Sequence, residues 1–138
     1  MGYTAQQTLD YAQALYEKKL LTYPRTDSNF LTKEMGSSLP ALLQSLSGVL
    51  PISEMTDRNN LSAVIDSSKV SDHHAILPTK STADTGLEAL PTGERKILIL
   101  VIARLFCAVS SPEQIKETEC TLLCEGTSFY AKGRVILQ

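Results

Sequence analysis

A chain of 138 residues can bury one sizeable core and has little room for a second, so a single globular unit with an appended element is expected. Its net charge of -2 and pI of about 5.7 argue against a stand-alone nucleic-acid binder, which is usually clearly basic. Nothing at the N-terminus reads as a signal peptide, and the longest apolar run, Ile97 to Ala103, falls far short of the roughly 20 residues of a membrane helix; a soluble, cytoplasmic chain with no membrane partner is expected.

Thr4 followed by Gln7 has the form of a capping box, and Leu9, Ala12, Leu15 and Tyr16 recur at helical spacing, which predicts a helix from Thr4 to Lys19. Lys18 and Lys19 then fall in its last turn, where positive charge suits the helix dipole, and Tyr11 and Tyr16 read as packing residues. Pro24 removes a donor and disfavours helix for the residue before it, so Tyr23 is expected on an extended segment. Arg25, two residues on, projects to the same side. A guanidinium beside a phenol favours the phenolate and can hold phosphate oxygens, which makes a phosphate-attacking pair; the plainer reading is a helix-to-helix connection.

Further along, Thr32 is expected to cap a helix that Gly36, Ser37 and Ser38 interrupt, and Leu39 to Leu46 reads as a second short helix with Pro40 in its first turn. Signals from Pro51 to Val70 are weak, with turn-like breaks at Asp57 to Asn60 and at Ser67 to Lys69. Asp72, His73 and His74 are all metal-ligand types, but adjacent histidines on an extended segment point to opposite faces and seldom share an ion. Structural histidines are the bland alternative. After a loop at Asp84 to Gly86 and one helical turn at Leu87 to Leu90, Thr92 is expected to cap the strongest helix, roughly 17 residues long, apolar nearly all round and therefore buried. Ser110, Ser111 and Pro112 end it.

The last stretch changes period. Thr118 to Cys124 and Phe129 to Lys132, joined through Glu125 to Ser128, predict a β-hairpin, with a bulge at Gly133. It has no partner sheet, so it is expected to fold back over the long helix, the alternatives being a mobile segment, one paired with another molecule, or the severed end of a neighbouring domain. Cys107, Cys120 and Cys124 lack metal-site spacing and read as free thiols.

The run Leu20 to Ser28, with Leu9, Ala12, Gln13, Leu15, Tyr16 and Glu17 ahead of it, resembles the active-site segment of type IA DNA topoisomerases, particularly the topoisomerase III branch. Val70 to Thr79 resembles that branch's Asp-His-His-Ala-Ile-x-Pro-Thr motif, and the likeness extends more weakly to Thr92 to Phe106 and Thr118 to Leu137. The resemblance implies a fragment of an ATP-independent isomerase in which Tyr23 and Arg25 are catalytic. Tyr23 attacks single-stranded DNA to form a transient 5′-phosphotyrosyl link, and Arg25, His73 and His74 bind DNA. His73 aligns with the histidine shared across the wider family, and His74 matches only the narrower pattern. Mg2+ is implied for the full enzyme, on a domain absent here, with no metal residue in this chain. The implied partners are single-stranded DNA and the missing domains, and the fragment alone is expected to be inactive. The expected fold is mainly α, a compact helical domain over 1–116 with a C-terminal β-hairpin over 117–138 that returns toward a strand-built domain. A non-catalytic nucleic-acid-binding module, or a structural interaction domain, is the alternative.

Overall fold

The computed structural model describes residues 2–51, 57 and 60–137. The first helix, α1 (Ala5–Glu17), begins as its sequence dictates: the Gln7 N–H donates to Thr4 Oγ1 at 3.2 Å, and the Thr4 N–H donates to Gln7 Oε1 at 3.0 Å. Its end departs from expectation. Lys18 is the C-cap and Lys19 is left-handed at φ 61, so both lysines lie beyond the last turn. The Lys19 N–H donates to the Tyr16 carbonyl at 2.8 Å and the Leu20 N–H to the Leu15 carbonyl at 2.9 Å. This is a Schellman closure made with lysine where glycine is usual, and it aims the chain at the core.

Two short helices follow, α2 (Lys33–Gly36) and α3 (Leu39–Ser45), the latter with a proline in its first turn. Thr32 precedes α2, but its side chain makes no capping bond; the Lys33 N–H donates instead to Ser67 Oγ at 2.9 Å, so the cap comes from across the fold. Of the expected turn at Asp57 to Asn60, residues 58 and 59 lie outside the described residues. Helical turns at Leu61–Val64 and Ser67–Lys69, then α4 (Ser81–Asp84) and a turn at Leu87–Ala89, lead to α5 (Thr92–Val109).

The N-cap of α5 is Pro91 and not Thr92; the Pro91 carbonyl accepts the first helical bond from the Arg95 N–H at 2.9 Å. A proline already holds φ near the value this start needs and has no N–H to leave unpaired. Nor is α5 buried all round. Ile97, Leu98, Ile102, Leu105, Phe106 and Val109 enter the core, while Leu100 stays 41% exposed. Where α1 crosses α5, a Cβ on Gly93 would lie 2.3 Å from Cζ of Tyr11, so only glycine lets the helices approach this closely. Beside that crossing Lys18 Nζ meets the buried Glu94 carboxylate at 2.6 Å. Leu15, Leu43, Leu46, Leu98, Ile102 and Phe106 form the centre of the core, and the Asn60 N–H ties the Leu61–Val64 turn to the end of α5 through the Val109 carbonyl at 2.8 Å.

Beyond Pro112 lies a two-stranded antiparallel ladder, β1 (Ile115–Cys124) and β2 (Thr127–Ile136), paired from Ile115 with Ile136 to Cys124 with Thr127. Glu125 and Gly126 make the turn with φ 47 and 79, the double positive φ that matches the twist of the flanking strands. Three expectations are corrected here. Gly133 pairs with Thr118 in an unbroken register, so there is no bulge. Every residue of both strands is exposed, including Leu122 at 60%, Phe129 at 56% and Tyr130 at 80%, so the hairpin does not fold back over α5, whose core-facing side is already filled by the body. With two ten-residue strands beside its helices, the chain is mixed α/β and not mainly α.

Candidate functional site

The Schellman turn delivers Leu20 and Leu21 into the core, and Leu21 bridges antiparallel to Pro78. Leu21 and Pro78 form a non-hydrogen-bonded pair, so the bonds come from their neighbours and the missing N–H of Pro78 costs none of them: Thr22 N–H donates to the Leu77 carbonyl at 2.9 Å, and Thr79 N–H to the Leu20 carbonyl at 3.0 Å. Threonine hydroxyls complete the seam. Thr22 Oγ1 accepts from the Leu77 N–H at 2.8 Å, Thr79 Oγ1 donates to the Lys19 carbonyl at 2.6 Å, and the buried Thr82 Oγ1 donates to the Leu20 carbonyl at 2.7 Å. Further out, Thr26 Oγ1 donates to the His73 carbonyl at 2.9 Å, Ser28 Oγ donates to the Lys69 carbonyl at 2.8 Å, and the Ala75 N–H donates to the Phe30 carbonyl at 2.9 Å. The two sequence motifs are thereby fastened together along their length.

Tyr23 emerges from this seam half-buried. Its ring centroid lies 4.5 Å from that of His73 and 5.5 Å from that of Tyr16, the latter pair nearly perpendicular at 78°. The Tyr23 hydroxyl has no hydrogen bond among the described residues, and no buried side-chain oxygen lacks a partner, so this oxygen faces solvent. Arg25 is exposed and, with Thr26, Asp27, Ser71, Asp72 and His73, lines a cleft of about 440 Å³. Arg25 makes no ion pair among the described residues. Two carboxylates and two basic groups share the cleft, so its charge is mixed.

His74 is half-buried and does not line that cleft. Its Nδ1 lies 2.7 Å from the Ala75 carbonyl, which can only accept, so Nδ1 donates there and Nε2 is left without a hydrogen bond among the described residues. The His73 ring has no hydrogen bond among the described residues; what it touches is the ring of Tyr23. Among the described residues no group of three or more His, Cys, Asp or Glu side chains converges to hold a metal ion, and the three cysteines are exposed and free. No helix among them is long and apolar enough to cross a membrane. Tyr16 is the site residue that sequence reasoning took for simple packing. No residue signalled it, because the left-handed turn that leads the chain from the last turn of α1 toward Tyr23 is made by Lys19 and not by a glycine.

A family model described as DNA topoisomerase matches residues 1–138. DNA topoisomerase 3 of Bacillus licheniformis is 38% identical over 143 residues, covering 98% of this chain and 19% of the relative. The Bacillus subtilis protein of the same name is 35% identical over 142 residues, covering 98% and 19%, and that of Bacillus thuringiensis 34% over 142 residues, covering 99% and 19%. The chain thus spans about a fifth of the length of these relatives, as the 19% coverage gives. With a family model matched from end to end and relatives at this identity, the chain belongs to the DNA topoisomerase family and is a topoisomerase III-like segment of it.

Proposed function

We propose that this segment carries the nucleophile of a type IA DNA topoisomerase, with Tyr23 as the attacking group and Arg25, His73 and His74 as DNA-binding residues. The observation that carries the reading is the Tyr23 oxygen, which faces solvent while its ring is held between Tyr16 and His73. A buried or bonded hydroxyl would have favoured a tyrosine that serves only a turn. In the proposed step the phenol oxygen forms a bond to phosphorus in single-stranded DNA and the bond from phosphorus to the 3′ oxygen breaks. The phenol gives up one proton and the 3′ oxygen takes one, so nothing is oxidised and no nucleotide is consumed. Attack in reverse reseals the strand after passage of another.

Arg25 is suited to a phosphate because its planar fork is always charged and makes no ion pair among the described residues. His73, in the same cleft, adds an imidazole N–H that can donate to the phosphate oxygens. His74 has one nitrogen committed to the Ala75 carbonyl and offers DNA only the other. The Mg2+ that the resemblance implies for the whole enzyme is assigned to carboxylates outside these 138 residues. The 138 residues alone are accordingly assigned no strand-passage activity.

The test places these residues in the matching stretch of the Bacillus subtilis relative and mixes the protein with end-labelled single-stranded DNA. Tyr23→Phe removes one solvent-facing hydroxyl and should abolish the covalent protein–DNA complex while leaving the fold intact. A covalent complex that persists in this variant overturns the reading.

A further inference from the structure

We infer that Tyr16 is a positioning residue for the Tyr23 phenol, an assignment that rests on the reading of Tyr23 as the nucleophile. A tyrosine side chain turns about two bonds, and a nucleophile must be held within a narrow cone of approach to be effective. No hydrogen bond among the described residues fixes the Tyr23 oxygen, so the direction of its C–O bond is set by what touches the ring. Two rings do: His73 at 4.5 Å with an interplanar angle of 46°, and Tyr16 at 5.5 Å and 78°. The perpendicular edge-to-face geometry is the one the ring quadrupoles favour.

Tyr16 is also the better anchored of the two walls. It sits in the last turn of α1, and its carbonyl accepts the Lys19 N–H that closes the helix. Leu15 beside it is fully buried. His73 stands in a loop, at the bend of Ser71 to His73; its carbonyl is held by Thr26 and its ring has no hydrogen bond among the described residues. Packing alone does not account for Tyr16, which is 40% exposed, with a hydroxyl that has no hydrogen bond among the described residues. What it does with its ring is face Tyr23. The useful part of Tyr16 is therefore the aromatic ring and not the hydroxyl or mere bulk.

The experiment has two readouts. In the 138-residue chain with labelled tyrosine rings, nuclear magnetic resonance couplings report whether Tyr23 keeps one χ1 rotamer. Tyr16→Ala and Tyr16→Leu should average it, and Tyr16→Phe should keep it single. In the enzyme rebuilt on the Bacillus subtilis relative, Tyr16→Ala should slow cleavage of single-stranded DNA by about tenfold with DNA affinity unchanged. Tyr16→Phe should keep the rate within about twofold, and Tyr16→Leu should stay slow. A leucine that restores the rate, or an alanine variant with a single Tyr23 rotamer and an unaltered rate, overturns the inference. Tyr23→Phe runs alongside: a link that persists there sinks the nucleophile assignment itself. Loss of the link there, with a neutral Tyr16→Ala, sinks only the role of Tyr16.

Discussion

The helical body and the hairpin are both regular structures, yet they are held by different things. In the body, residues fifty or more positions apart are joined by backbone and threonine hydrogen bonds over a core in which Leu15, Leu98 and Phe106 are fully buried. In the hairpin, ten residue pairs and a well-chosen turn fix the register, and no side chain of either strand is buried. Local pattern is enough to define a ladder, and it is burial that ties one element to another. The two faces of the ladder still differ. Cys120, Leu122 and Cys124 lie opposite Ala131, Phe129 and Thr127, while the other face carries Glu117 and Glu119 with Lys132 between them.

The sharpest way to separate the two regions is Phe106→Ala. Removing a fully buried ring should cost the body about 3–5 kcal/mol, a large share of a small domain's stability. Chemical denaturation should show this as an early transition, while the resonances of the hairpin keep their paired positions. Gly93→Ala comes next, since the new methyl would meet the Tyr11 ring; a loss of about 1–3 kcal/mol by the same measurement is expected. A neutral result would mean that the α1–α5 crossing is looser than the packing indicates.

A smaller effect depends on pH. Asp66 caps the Ser67–Lys69 turn that supports the second motif, and the Ser68 hydroxyl, then Lys69, hold its carboxyl below the ordinary value of 3.8. A lowered pKa stabilises the folded state above the unfolded pKa and is lost as pH falls through the folded one. Melting temperature should therefore fall as pH drops below about 4, and Asp66→Asn should flatten part of that slope. An unchanged slope in the variant would mean that the Ser68 and Lys69 contacts do not persist in solution. Smallest of all, removing 115–137 should leave the melting temperature of the body where it was, and amides of β1 and β2 should exchange faster than those of α5. Slow exchange in the strands would show that they pack on something after all.

Much of the body was legible because its signals are local: the Thr4 and Gln7 capping box, the period of α1, the turn at Leu87 and the end of α5 at Ser110 all stand where the residues place them. Both strands were legible for the same reason. The failures share a cause in tertiary structure. Ser67 replaced Thr32 at the head of α2, and nothing near Thr32 in sequence could reveal that. Lys19 adopted a left-handed conformation that its own side chain does not favour, because the chain had to turn Leu20 and Leu21 into the core. The exposed hairpin was misjudged by assuming that an apolar face must find cover within the same 138 residues. At the site, the pairing of Tyr23 with His73 follows from two motifs that resemble one family, but the nearness of Tyr16 depends on how α1 ends.

The seam between Leu20–Thr22 and Leu77–Thr79 has a mechanical side. A DNA strand joined to Tyr23 would pull on the backbone immediately beyond Thr22, whose N–H and hydroxyl both grip Leu77. Antiparallel hydrogen bonds run across the strands, so a load along the chain meets Thr22, Leu20 and Lys19 together as a shear, and does not unzip them one by one. The strain would pass into Leu20 and Leu21, which are rooted in the core, and through the Tyr16–Lys19 bond into α1. On the proposed reading of Tyr23, tension on a linked strand would thus be borne by the whole helical body.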